Sequence, residues 1–322
     1  MFKGLRLSVV CGGIIFFLSS SQLFAADNNT KTEDFGSQLE SPTWMDEINW
    51  HGFVSQNFIA TDENDFLGSS SDGSFKSNEA ALNASWRATD SLQLALQGLY
   101  KQIGNAKPKG GRVDYAIVDW RFLDNFTNGA GVRFGRIKNP YGFFNETRDV
   151  AVTNTSILLP ESVYVDYLSQ LYHSSDGAGF YGHNENEYGT LLFNVQGGFA
   201  RLAYEDGAGL WRAAISYAHL TGDFNPAPSD IPKGLMEGTL LIEQLLLSVE
   251  LNWNSWQFTT EVQRRNTELE GIYGIDIVEK GLGYYFQTAY KFSPAWTVYL
   301  RRDEVFRFKD DRHGKEFALG NA

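Results

Sequence analysis

The stretch from Gln244 to Gln263, QLLLSVELNWNSWQFTTEVQ, decides the fold. Leu245, Leu247, Val249, Leu251 and Trp253 fall in one phase of a period-two pattern, and Gln244, Leu246, Ser248, Glu250 and Asn252 in the other. After the pair Asn254-Ser255, Trp256, Phe258, Thr260 and Val262 alternate with Gln257, Thr259, Glu261 and Gln263. Two alternating runs, of ten and eight residues, joined by a two-residue turn specify a β-hairpin. A helix over Leu240 to Leu251 would draw Glu243, Gln244 and Glu250 into its apolar stripe, whereas period two sets most polar side chains apart.

Working outward, the same pattern recurs from about residue 48 on. Ala80, Leu82, Ala84, Trp86 and Ala88 alternate with Glu79, Ala81, Asn83, Ser85 and Arg87, and in the next run only Leu99 sits in the polar phase. Three further strands are expected at Ala178 to His183, Tyr188 to Gly197 and Phe199 to Tyr204, within a total of about a dozen. Short links, at Thr89 to Ser91, Leu123 to Asn128, Glu205 to Gly209, Asn254-Ser255 and Ser293-Pro294, interleave with long ones, as at Asn139 to Ser174, Thr221 to Gly238 and Arg264 to Lys280. Short periplasmic turns and long outer loops distinguish an outer-membrane barrel from a soluble sandwich. Trp86, Trp211, Trp253, Trp256 and Trp296 all lie within a few residues of a short link, where an aromatic girdle at the inner interface would stand.

Composition and the N-terminus agree on the compartment. Lys3 and Arg6 precede an apolar run ending near Leu18, and Ala25-Ala26 offers a cleavage point, so residues 1–25 read as a signal peptide. Its apolar core of about a dozen residues is too short for a spanning helix. The only cysteine, Cys11, lies inside it, which leaves a mature chain without disulfides or thiolate metal ligands. Without Lys3 and Arg6 the 27 basic residues fall to 25 against 39 acidic, a formal charge of −14 that disfavours a nucleic-acid partner. An aromatic content of 15%, 32 glycines and only 8 prolines suit strands. With no second apolar run long enough for a helix, membrane insertion has to use strands.

Residues 26–47 read as a flexible periplasmic lead-in and 48–322 as an all-β, antiparallel transmembrane barrel. The final residues, Glu316 to Ala322, lack the amphipathic strand with a terminal aromatic that the barrel-assembly machinery reads. The expectation is therefore that C-terminal strands are missing from a barrel of about 16.

The strand ending at Lys138 is followed by over thirty residues containing Asn139-Pro140, a Leu-Leu-Pro sequence and several aromatics, too apolar for a freely solvated loop. Residues 139–175 are expected to fold inward and narrow the lumen. The constriction candidates are Arg133, Arg136, Lys138, Glu146, Arg148 and Asp149, with Glu146, Arg148 and Asp149 brought towards wall residues such as Arg133. Opposite charges across a water-filled constriction select solutes by size and charge. Lys101, Asp119 and Arg121 are pore-lining candidates. The plain alternative is that such residues make loop salt bridges or are merely solvated.

Arg136-Ile137-Lys138-Asn139-Pro140-Tyr141-Gly142, Asn145-Glu146-Thr147-Arg148-Asp149, Leu158-Leu159-Pro160-Glu161-Ser162-Val163-Tyr164 and Ser174-Ser175-Asp176-Gly177 together resemble a family of porin-like outer-membrane proteins, nearest the phosphate-selective porin O and P type. The resemblance runs from about Gly52 onward. It implies an outer-membrane channel for small hydrophilic or charged solutes, including anions, assembled as a homotrimer. The arginine and lysine ladder of the phosphate-selective members has no position-by-position match, so none is carried over.

Other classes are weaker. His51, His173, His183, His219 and His313 sit in unrelated contexts, and no Gly-x-Ser-x-Gly or His-Glu-x-x-His run accompanies them, so no enzyme is expected. Asp62-Glu63-Asn64-Asp65 lacks an EF-hand pattern and reads as a solvated loop or a lipopolysaccharide-bridging surface, so neither metal nor cofactor is expected. The expected partners are outer-membrane lipid, lipopolysaccharide and small solutes. The serious alternative is a non-conducting barrel that acts as an adhesin or structural protein through its long outer loops.

Overall fold

The computed structural model describes residues 47–59, 73–103, 110–148, 150, 159–164, 172–226, 232, 234–293 and 296–306, and the backbone of 14–19 and 318–321. Its strands are β1 (Ile14–Ser19), β2 (Ile48–Ile59), β3 (Ser74–Arg87), β4 (Leu92–Ile103), β5 (Gly110–Asp124), β6 (Asn128–Lys138), β7 (Ser174–Asn186) and β8 (Gly189–Gln196). They continue with β9 (Phe199–Asp206), β10 (Trp211–Phe224), β11 (Gly238–Trp253), β12 (Trp256–Glu270), β13 (Ile277–Ser293), β14 (Trp296–Phe306) and β15 (Ala318–Asn321). All fifteen form one antiparallel sheet in sequence order. Thirteen lie between Ile48 and Phe306, one more than the dozen expected. The three strands expected between Ala178 and Tyr204 are β7, β8 and β9, which keeps the short links named above on one side, while the two-residue turn at Gly197-Gly198 lies on the other.

The alternation is inverted relative to a soluble sheet. On β11, Gln244, Leu246, Ser248 and Glu250 are buried while Leu245, Leu247, Val249, Leu251 and Trp253 are exposed. On β12, Thr259, Glu261 and Gln263 are buried and Trp256 and Val262 exposed. A sandwich would bury the apolar phase, so this polar-in, apolar-out register is that of a wall facing lipid. Leu99, out of phase in the sequence, is buried on the inner face, 2% exposed. Trp211, Trp253, Trp256 and Trp296 are exposed beside the short turns. The turn at Asn254-Ser255 is tight enough to put Asn254 at φ 54°, a conformation Asn tolerates.

Because Leu247 lies midway along the apolar face of β11, Leu247→Arg should destabilise the inserted barrel by about 2–4 kcal/mol. Urea unfolding in bilayers, followed by tryptophan fluorescence, should show it. An unchanged midpoint would mean that this face does not meet lipid.

The sheet curls, and the described residues of the segment between β6 and β7 lie in its concavity. The Tyr141 ring is 5.8 Å from that of Tyr172, whose neighbour His173 meets Asp114 on β5. Its hydroxyl also donates to Gln263 on β12 at 3.0 Å. Seven strand spacings in a flat sheet would separate β5 from β12 by roughly 34 Å. The buried apolar core accordingly joins loop residues Tyr141, Val163, Tyr164 and Tyr172 to Phe199, Ala218, Ile242, Leu246 and Tyr285 of β9, β10, β11 and β13. Among the described residues no ladder pairs the first strand with the last. The signal peptide and the 26–47 lead-in lie outside the described residues, apart from the Ile14–Ser19 backbone, which pairs with β2, and Glu47. Asp62, Glu63, Asn64, Asp65 and His313 lie outside them too.

Candidate functional site: the inward segment and the wall it meets

Strand β6 ends where Asn139-Pro140 denies the ladder a further donor, and the next strand begins at Ser174. The root of the intervening segment is polar and buried. Asp114 of β5, fully buried, accepts from Gln97 Nε2 at 2.6 Å, pairs with Lys138 Nζ at 2.7 Å and meets His173 Nε2. Asn145 Nδ2 donates to the carbonyls of Asn139 and Tyr172 at 2.9 and 2.7 Å, tying the two arms of the segment together.

Its tip is fastened to the far wall by two carboxylates. Glu261 of β12 has no exposure, and it accepts from the Phe143 backbone N–H at 3.0 Å, Ser248 Oγ at 2.5 Å and the Tyr285 hydroxyl at 2.9 Å. The Tyr164 hydroxyl is a fourth donor to it and itself accepts from the Phe144 N–H at 3.1 Å. Burial raises the Tyr164 phenol well above its ordinary range, which keeps it a donor. Asp303 of β14 accepts from the backbone N–H groups of Glu161 and Ser162 at 2.9 and 3.2 Å. Gly142, at φ 61°, donates its N–H to Ser216 Oγ at 3.1 Å.

Charged side chains surround this tip. Glu146 Oε2 lies 2.6 Å from Arg201 Nη2 of β9, whose Nη1 also donates to the Gly142 carbonyl at 3.0 Å. Arg212 of β10 grips Glu250 of β11 through two nitrogens at 3.0 and 3.1 Å, and its guanidinium lies 4.3 Å from the Phe143 ring centroid. Nearer the short turns, Arg133 pairs with Asp119 at 3.0 Å and stacks 4.2 Å from the Tyr181 ring centroid, while the Tyr181 hydroxyl donates to Asp119 at 2.6 Å.

The sequence-level candidates divide accordingly. Lys101 pairs with Glu79 across β3 and β4 at 2.8 Å, and Arg121 with Asp124 at 2.7 Å beside a short turn. Lys138 is at the segment's root. Glu146 meets Arg201, which corrects the expected approach to Arg133, because Arg133 is already held by Asp119 and the segment leans towards β9 to β14. Arg148 is corrected as well: it is 5% exposed, with Nη1 3.4 Å from Asn145 Oδ1, and braces the segment from within. Arg136 is not a constriction residue. It shares the outward phase of Val132 and Phe134, and it donates through Nε and Nη2 to Asp176, each at 2.8 Å, on that side. Asp149 lies outside the described residues.

Missed by the sequence reading were Asp114, His173, Arg201, Arg212, Glu250, Glu261 and Asp303. Glu250 and Glu261 already stood in the polar phase of the hairpin, which was the available signal.

No protein-family model matches the chain, and no curated protein matches it. Solved structures do. Outer-membrane expressed OmpT of Vibrio cholerae is similar with a TM-score of 0.51 and 12% identity, over 85% of this chain and 79% of that one. An in-vitro folded trimer form of OmpT, also of Vibrio cholerae, matches with a TM-score of 0.50 and 12% identity, over 92% of this chain and 78% of that one. At this identity the likeness is one of fold: an outer-membrane β-barrel, with the outer membrane as its place. It does not extend to the phosphate-selective type, and that part of the resemblance is set aside.

The exclusion of an enzyme is corrected as well. The neighbours in fold are OmpT structures, and the exclusion rested on histidines in unrelated contexts. The fold instead sets His173 against Asp114 and His219 Nδ1 3.5 Å from Glu243, pairings that a scan for local motifs does not reach.

Proposed function

We propose that the chain forms a channel for small hydrophilic or charged solutes, with the segment between β6 and β7 as its constriction. The observation that carries this reading is the fastening of the segment to the inner wall by Glu261 and Asp303, far from where it leaves that wall. A segment free to serve outside as an adhesive loop would not bury Tyr141, Val163 and Tyr164 against the inner faces of β9 to β13. Solutes passing the tip meet the Phe143 ring and the Arg201–Glu146 and Arg212–Glu250 pairs, opposite charges held side by side rather than a field of one sign. The trimer form among the similar structures supports a trimeric assembly, which cross-linking in membranes can test.

The test of conduction is recording from the full gene product in a planar bilayer under a salt gradient. Discrete steps whose size grows with salt concentration are expected. Arg212→Gln should move the reversal potential towards cation preference, because Glu250 then keeps its charge without a partner. Silence from barrels shown to be inserted would reject the channel and favour an adhesive or structural barrel.

A further inference from the structure

We infer that Arg264 and Lys280, side by side on the outward face of β12 and β13, form a binding site for a phosphate group of an outer-leaflet glycolipid. Arg264 lies opposite Leu282, and Lys280 opposite Asn266 two residues further along. The two cations are therefore diagonal neighbours on one face, with backbones roughly 7–8 Å apart, a separation their side chains close readily. Both are exposed, and among the described residues neither side chain makes a hydrogen bond or an ion pair.

Among the described residues, the carboxylates within reach accept from other groups. Glu243 accepts from Tyr217 at 3.2 Å and faces His219, Glu268 accepts from Asn266 at 3.0 Å, and Glu270 accepts from Thr239 at 3.2 Å. Among the described residues no carboxylate pairs with either side chain, which leaves the arginine and the lysine able to take an anion from outside the chain.

Their height on the wall names its source. Towards the short turns, the outward face carries exposed Leu245, Val262, Leu282 and Phe286, which meet acyl chains. Away from them polar side chains enter, Asn266, Glu268 and Glu270, alongside exposed Val278. The cations stand at the change, on the side of the long outer connections, the depth at which a lipid's phosphate joins its acyl chains. A guanidinium offers a planar fork to two phosphate oxygens and an ammonium adds a point charge. A soluble anion would gain nothing from the apolar residues below, whereas a phosphorylated lipid uses both.

The experiment compares phosphorylated lipid A with lipid A stripped of its phosphates, each offered to the refolded full chain in detergent, with retention read by native mass spectrometry. Retention of the phosphorylated form should exceed that of the stripped form by about tenfold or more, and Arg264→Gln and Lys280→Gln should each cut the excess about fivefold. Lys280→Arg should keep it, and heat-modifiable gel migration should show all variants folded. Equal retention of the two lipids, an excess that survives in the double variant, or complete displacement by millimolar inorganic phosphate would each overturn the proposal. None of these readouts depends on conduction.

Discussion

Replacing Glu261 with alanine is expected to free the constriction from the far wall and raise single-channel conductance. Four donors converge on this one carboxylate: the Phe143 N–H, Ser248 Oγ and the hydroxyls of Tyr164 and Tyr285. With the segment kept in place, alanine would leave all of them buried without an acceptor, at about 1–3 kcal/mol each. Phe143 and Tyr164 can recover partners from water only by leaving the wall. The segment should therefore detach while the barrel, held by its own ladders, stays inserted. Two readouts separate this from general unfolding. Conductance should rise with the heat-modifiable gel shift unchanged, and trypsin should cut after Arg148, which is 5% exposed in the seated segment. Unchanged conductance together with an intact Arg148 would mean that Glu261 does not hold the segment. Glu261→Gln should fall between, since an amide keeps one acceptor oxygen.

How far this site is legible in the sequence depends on the range of the interaction concerned. Period two is local, so the hairpin at Gln244 to Gln263, the turn at Asn254 and the polar phase of Glu250 and Glu261 can all be read directly. The inward course of the segment after Lys138 can be expected from its apolar composition. What holds it there spans over a hundred residues, from Phe143 to Glu261 and from Glu161 to Asp303, and no periodicity connects those positions. Arg136 shows the limit from the other side: its charge suggested the pore, but it pairs with Asp176 on the side that Phe134 faces. His173 likewise looked solitary because its partner, Asp114, lies on β5, far away in the sequence.

Gly142→Val should reproduce the open phenotype by a different physical route, through shape rather than lost hydrogen bonds. Gly142 sits at φ 61°, a left-handed conformation that costs an L-residue roughly 1–2 kcal/mol, and more when it is β-branched. A Cβ there would lie 2.1 Å from the Tyr164 hydroxyl, 2.7 Å from Glu261 Oε1 and 2.9 Å from Leu246 Cδ2. None of the three has room to retreat, because Tyr164, Glu261 and Leu246 are themselves buried. Displacing the backbone would also sacrifice the Gly142 N–H to Ser216 bond and the Arg201 bond to the Gly142 carbonyl. The valine variant should thus show raised conductance and cleavage at Arg148, as Glu261→Ala does. The double variant should add little to either single one, because both remove the same contact between segment and wall. Additive effects would mean that the two residues secure different parts of the segment, and a wild-type channel from Gly142→Val would mean that the tip does not seat at Glu261.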